Sequence, residues 1–149
     1  LLRVSIEGSR AIVDLRTNTL ICANEDTLIP SDVKVIDSYV FYNCGFNEFI
    51  VPEGVEVIKN NAFESCKNLE KLILPNTLKE IGDSAFESLK ISTITFPENL
   101  EIVGAKAFAK SLLVVVNPTL FFSNPILDVI IIILLSNLII FPLLSFIFP

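Results

Sequence analysis

The stretch PEGVEVIKNNAFESCKNLEKLIL (residues 52–74) runs directly into PNTLKEIGDSAFESLKISTITF (residues 75–96), and the second repeats the pattern of the first. PSDVKVIDSYVFYNCGFNEFIV (residues 30–51) precedes them and PENLEIVGAKAFAKSLLVVVN (residues 97–117) follows. Pro30, Pro52, Pro75 and Pro97 open the four units at intervals of 22, 23 and 22 residues. Val33, Val55, Leu78 and Leu100 keep those intervals, as do Ile36, Ile58, Ile81 and Val103. So do Phe41, Phe63, Phe86 and Phe108, each preceded by a small or β-branched residue (Val40, Ala62, Ala85, Ala107). The extra residue of the second unit falls between Cys66 and Leu72, where a loop absorbs it. Four rows in register establish an internal repeat.

A period of 22–23 residues with several apolar positions implies one coil per repeat. A single coil cannot bury its apolar side, whereas stacked coils bury one continuous core, each touching only its neighbours. Equivalent residues then stand about 4.8 Å apart, the ordinary strand spacing. The best strand in each unit is the alternating segment before proline, FNEFIVP, LEKLILP and ISTITFP. Alternation points Phe49, Val51, Leu72, Leu74, Ile94 and Phe96 inward. Glu48, Ile50, Lys71, Ile73, Thr93 and Thr95 then point outward as one continuous ledge. Proline ends the strand because it cannot donate to the ladder. A short second strand such as VEVI or LKEI follows, and the AFxxC stretch closes the coil as a tight turn or a scrap of helix.

With these residues in view, the pattern xIPxxVxxIxxxAFxxCxxLxxLxLP over residues 27–113 resembles the BspA-type leucine-rich repeat. Upstream, AIVDLRTNTLICANEDTLIP resembles the β-hairpin that interrupts such arrays, with its turn near Arg16 to Asn18, and LLRVSIEGS resembles the strand before it. The expected fold is a β-rich solenoid of leucine-rich, BspA-like coils with an N-terminal β-hairpin insertion and an apolar C-terminal tail. The expected division is a partial repeat at 1–9, the hairpin at 10–26, four repeats at 27–117 and the tail at 118–149. The resemblance implies a secreted or cell-surface microbial protein that adheres to host or matrix proteins or to another cell surface.

Composition narrows the function classes. The chain begins without Met and reads as a piece of a longer product. From Ser111 onward the only charge is Asp128, so the preceding part carries 11 basic against 16 acidic side chains. An acidic repeat without a basic stripe argues against nucleic acid, whose phosphates require clustered Lys and Arg. With no His in the chain, Ser-His and Cys-His pairs are excluded. The three cysteines form no CxxC pair, so neither a zinc site nor a disulfide-stapled domain is indicated, and no cofactor is expected. The 21 uncharged residues 129–149 could cross a bilayer by length, but Ser136, Asn137 and Pro142 interrupt them and no Lys or Arg follows. The tail is therefore open to three readings: an artefact of the reading frame, a membrane anchor, or a folded cap.

Several motifs read better as structure than as chemistry. Ser31-Asp32-Val33-Lys34 matches S-x-x-K, but the same repeat position holds Glu53-Gly54-Val55-Glu56 and Asn76-Thr77-Leu78-Lys79, so it is a repeat turn. The carboxylates Glu53, Glu56, Glu98 and Glu101 are interrupted by Asn76 and Lys79, which breaks a calcium ladder and leaves a solvated edge. Cys44 and Cys66 share a position that also accepts Leu89 and Ser111, so they are expected as reduced packing residues. Cys22, on the hairpin, has the best claim of the three to exposure, though burial is still the expectation. The ledge of Glu48, Ile50, Lys71, Ile73, Thr93 and Thr95 is the candidate ligand face, read against the plainer alternative of a solvated sheet surface. The expected function is a non-enzymatic protein-binding and adhesion module; the alternative is a structural spacer whose array leaves recognition to other parts of the protein.

Overall fold

The structure is a computed structural model, and it describes residues 2–4, 11–111 and 114–115. The regular elements are short strands, with no helix among the described residues. Three precede the repeats: β1 (Leu2–Val4), β2 (Ile12–Asp14) and β3 (Thr19–Cys22). Each repeat then supplies two: β4 (Val35–Ile36) and β5 (Glu48–Ile50), β6 (Val57–Ile58) and β7 (Lys71–Ile73), β8 (Glu80–Ile81) and β9 (Thr93–Ile94), β10 (Ile102–Val103) and β11 (Val114–Val115).

The first strand of every unit pairs with the first strand of the next. The resulting sheet runs β1-β2-β3-β4-β6-β8-β10, antiparallel through β3 and parallel from there on. Its registers link Ile36 to Ile58, Ile58 to Ile81 and Ile81 to Val103. The apolar row in the sequence is therefore a row in space. β2 and β3 are antiparallel neighbours around a turn in which Asn18 takes a φ of 51°. β3 then lies parallel to β4, with Leu20 opposite Ile36, and covers the edge of the first repeat. The second strands pair as β5 with β7 and β9 with β11.

The Ala-Phe segment is turn rather than helix, for a reason visible in its backbone. Left-handed residues occur twice per unit, four apart: Tyr39 and Asn43, Asn61 and Ser65, Ser84 and Ser88, Lys106 and Lys110, at φ between 51° and 64°. A non-glycine residue there costs about 1–2 kcal/mol. The cost is offset by hydrogen bonds between units: Phe41, Phe63 and Phe86 N–H donate to the carbonyls of Ala62, Ala85 and Ala107 at 2.9, 2.8 and 2.8 Å. Asn43, Ser65 and Ser88 N–H likewise donate to Glu64, Glu87 and Ala109 at 2.9, 2.9 and 2.8 Å. In this segment donors face the following unit. Just after each proline turn they face the preceding one, as where Glu56, Lys79 and Glu101 N–H donate to Lys34, Glu56 and Lys79 at 2.8 Å.

These turns bring the phenylalanines into one column. Phe41, Phe63, Phe86 and Phe108 are buried, with successive ring centroids 4.9, 5.2 and 5.2 Å apart and planes tilted by 21°, 21° and 16°. Phe46 and Phe49 flank Phe41 and Phe63, and Phe96 meets Phe108 edge-on. Val33, Val55, Leu78 and Leu100, and Ile36, Ile58 and Ile81, complete the core. The fold is thus a β-rich repeat. Residues 118–149 lie outside the described residues.

A ring in the middle of the stack has neighbours on both sides. Phe86→Ala should cost about 3–5 kcal/mol, a transfer loss plus a cavity. The exposed Tyr42→Ala should stay within about 0.5 kcal/mol. Urea unfolding followed by circular dichroism measures both.

Candidate binding face

The outward residues of the second strands form the candidate site, and all six are exposed as their alternation requires. β5 and β7 pair in register, Glu48 opposite Lys71, Phe49 opposite Leu72 and Ile50 opposite Ile73. The inward Phe49 and Leu72 anchor the strands in the core, which holds the other two rows outside. Glu48 and Lys71 form an ion pair across the strands. Ile50 and Ile73 lie side by side with 58% and 42% of their surfaces exposed. Both sit two residues from the ion-paired row, so the face has a charged end and an apolar end.

Thr93 and Thr95 belong to the next unit, and the structure separates them from the other four. The hydrogen-bonded ladder of β5 and β7 is not continued into β9, which pairs with β11 instead. A groove of about 610 Å³ runs along the discontinuity, lined by Lys71 and Ile73 on one side and Thr93 and Thr95 on the other. Glu70 and Glu98 also line it. The continuous ledge expected from alternation is therefore an apolar pair, an ion pair and a groove. Sequence spacing does not reveal the discontinuity, because β7 and β9 carry the same apolar alternation.

The motifs set aside above have structural occupations. Lys34 Nζ lies 3.4 Å from Glu56 Oε1, and Glu56 Oε2 lies 2.7 Å from Lys79 Nζ. Lys34, Glu56, Lys79 and Glu101 thus form a column of alternating charge through four units, and the S-x-x-K lysine belongs to it. Hydrogen bonds from Lys79 and Lys34 hold the Glu56 carboxyl below its ordinary pKa, and Glu56 in turn raises that of Lys79. Glu53 accepts a hydrogen bond from Asn76 N–H at 3.3 Å. No cluster of His, Cys, Asp and Glu among the described residues could hold a metal ion.

The cysteines divide by environment. Cys66 is buried, and its thiol donates to the Phe41 carbonyl at 3.0 Å. Burial pushes its pKa from the ordinary 9.0 up to about 12, and burial also raises that of Cys44. All three are free thiols. Cys22 corrects its expectation: it is exposed, because Leu20 is the residue of β3 that turns into the core and the last two residues of that strand face out.

This geometry can be set beside known proteins. A family model described as the BspA-type leucine-rich repeat region matches residues 22–119 in six copies. The chain belongs to that family. Among solved structures, the pneumococcal vaccine antigen PcpA is similar at 24% identity and a TM-score of 0.63, over 72% of this chain and 29% of that one. A leucine-rich repeat protein from Bacteroides capillosus is similar at 22% identity and a TM-score of 0.57, over 74% of this chain and 97% of that one. This BspA-type chain thus spans under a third of the pneumococcal protein's length. None of the curated proteins matches it. At these identities the likeness is one of fold.

Thiol environment gives a direct check. In the native protein at pH 8, Ellman's reagent should titrate Cys22 promptly and leave Cys66 unreacted; in denaturant all three should react. A thiol whose folded pKa is raised adds stability that is fully present below pH 9.0 and is lost as pH rises towards about 12, because the unfolded chain ionises first. The Tm should therefore fall between those limits, and less steeply in Cys66→Ala.

Proposed function

We propose that this repeat array is a solenoid acting as a non-enzymatic protein-binding module of a secreted or cell-surface protein, with the face of Glu48, Ile50, Lys71, Ile73, Thr93 and Thr95 as its contact surface. The observation that carries the reading is the in-register pair Ile50 and Ile73, two large apolar side chains held outside on adjacent strands. Apolar contacts beside a charged pair and a groove are what a protein partner would desolvate and orient upon. Membership of a leucine-rich repeat family supports an interaction role, and a fold shared with a vaccine antigen supports display outside the cell. The partner would be a host or matrix protein or a component of another cell surface.

The division into a partial repeat at 1–9, an inserted hairpin at 10–26, four repeats at 27–117 and a tail at 118–149 belongs to the same proposal. A membrane contact through that tail is also part of it. Among the described residues, no helix is long and apolar enough to cross a membrane.

The test is surface plasmon resonance of the full chain over a panel of immobilised serum and matrix proteins. Binding to at least one is expected, and Ile50→Asp/Ile73→Asp should weaken it at least about 100-fold, since each buried Ile contributes about 1.5–3 kcal/mol. Ile102→Asp, at an exposed isoleucine on β10, should leave it unchanged. Binding that survives the double substitution removes this face from the reading. No binding at all leaves the spacer role in its place.

A further inference from the structure

A second concave surface lies where the chain turns from the Ala-Phe segment into the second strands, and its chemistry differs from that of the face above. It holds about 680 Å³ and is lined by Lys67, Lys90, Lys110, Ser88, Ser92 and Leu89, together with Glu70. Leu89 is buried and forms the floor. Three lysines converge here in a chain whose net charge is −6.

Their pairing sets two of them apart. Lys34, Lys59, Lys71, Lys79 and Lys110 each meet a carboxylate, the last at 2.6 Å from Glu87. Lys67 and Lys90 have no ion pair among the described residues. They follow Cys66 and Leu89 in successive units, and Lys90 N–H donates to the Leu69 carbonyl at 3.2 Å, so both lysines stand at one corner of the array. Like charges at neighbouring positions repel and destabilise the stack. Elsewhere the chain places opposite charges at such positions, as in the column from Lys34 to Lys79. At this corner Glu70 lines the same cavity but forms no ion pair with Lys67 or Lys90 among the described residues, and the cavity leaves room for an anion.

We propose that this corner binds an acidic glycan, whose sulfate or carboxylate groups are received by the Lys67 and Lys90 ammonium groups. Ser88 and Ser92 supply hydroxyl donors beside them, and Lys110 keeps donors free while Glu87 holds it in place. Glu70 repels the anion and confines it to the lysine side. Single ions gain little on exposed lysines, because water competes for both partners. A polymer that presents several anionic groups to adjacent cations gains through multivalency. Nucleic acid fits less well: among the described residues no aromatic ring lines the site for a base to stack on, and two lysines without an ion pair match few of its closely spaced phosphates. The site shares none of its lysines with the protein-binding face proposed above.

Isothermal titration of the full chain with a heparin-derived hexasaccharide tests this. Binding is expected, weakening steeply as salt is raised from about 50 to 200 mM. Lys67→Gln/Lys90→Gln should reduce affinity at least 10-fold, with the native circular dichroism melt retained. Lys34→Gln/Lys59→Gln removes an equal charge elsewhere and should not change it. Ile50→Asp/Ile73→Asp should bind the hexasaccharide as the parent does, which separates this site from the strand face. The proposal is overturned by absence of hexasaccharide binding or by unchanged affinity in the lysine double variant. Inorganic sulfate or a short DNA duplex binding as tightly as the sugar would overturn it as well.

Discussion

Stacked aromatic rings set the spacing to which the rest of this molecule conforms. Rings offset at 4.9–5.2 Å match the spacing of hydrogen-bonded strands, so one column satisfies aromatic packing and the backbone ladders together. The match requires each Phe to arrive at the same height in its unit. The two left-handed residues that bracket it achieve this, reversing the chain tightly enough to aim the ring inward. Backbone donors then face forward in one segment and backward in another, so every interface between repeats is closed from both sides.

Charge reinforces the register where the core cannot. The column Lys34, Glu56, Lys79, Glu101 lies just after each proline turn, beside the short strands β4, β6, β8 and β10. Each of those strands is only two residues long, so backbone pairing alone specifies alignment weakly. A slip by one whole unit would leave the Phe column nearly intact, because every unit offers the same ring. It would set Lys against Lys and Glu against Glu. Exposed pairs add little stability, but opposite signs at alternate units penalise the one misalignment that the apolar rows tolerate.

How much of this was legible depends on whether a feature repeats. The Phe, Ile and Val/Leu rows were readable because a buried position admits few residue types, and the outward set followed from alternation. The left-handed pairs were not readable: their occupants run from Tyr39 and Asn61 to Ser84 and Lys106, and no glycine marks them. What forces the conformation is the ladder between units, which one unit's sequence does not contain. Cys22 was misplaced for a related reason, since the outer end of β3 is decided by which arm of the antiparallel pair meets β4. The Lys67–Lys90 corner escaped notice because its residues are ordinary one by one and gain meaning only through the cavity they share and the ion pairs they do not make among the described residues.

Departures from the period are where the surface acquires features. The second unit takes one residue more than its neighbours between Cys66 and Leu72, where Asn68 reaches back to donate to the Gly45 carbonyl at 3.4 Å. The third crosses the same corner with one residue fewer. Glu48 and Lys71 are thus 23 residues apart and pair, Lys71 and Thr93 are 22 apart and do not, and Thr93 and Val114 pair again at 21, so spacing by itself does not set the break. Both concave surfaces adjoin this step, and Glu70 lines the two of them. A uniform repeat would present a uniform sheet. One additional residue in a loop, tolerated at little entropic cost, sets this corner apart from its equivalents in the other units.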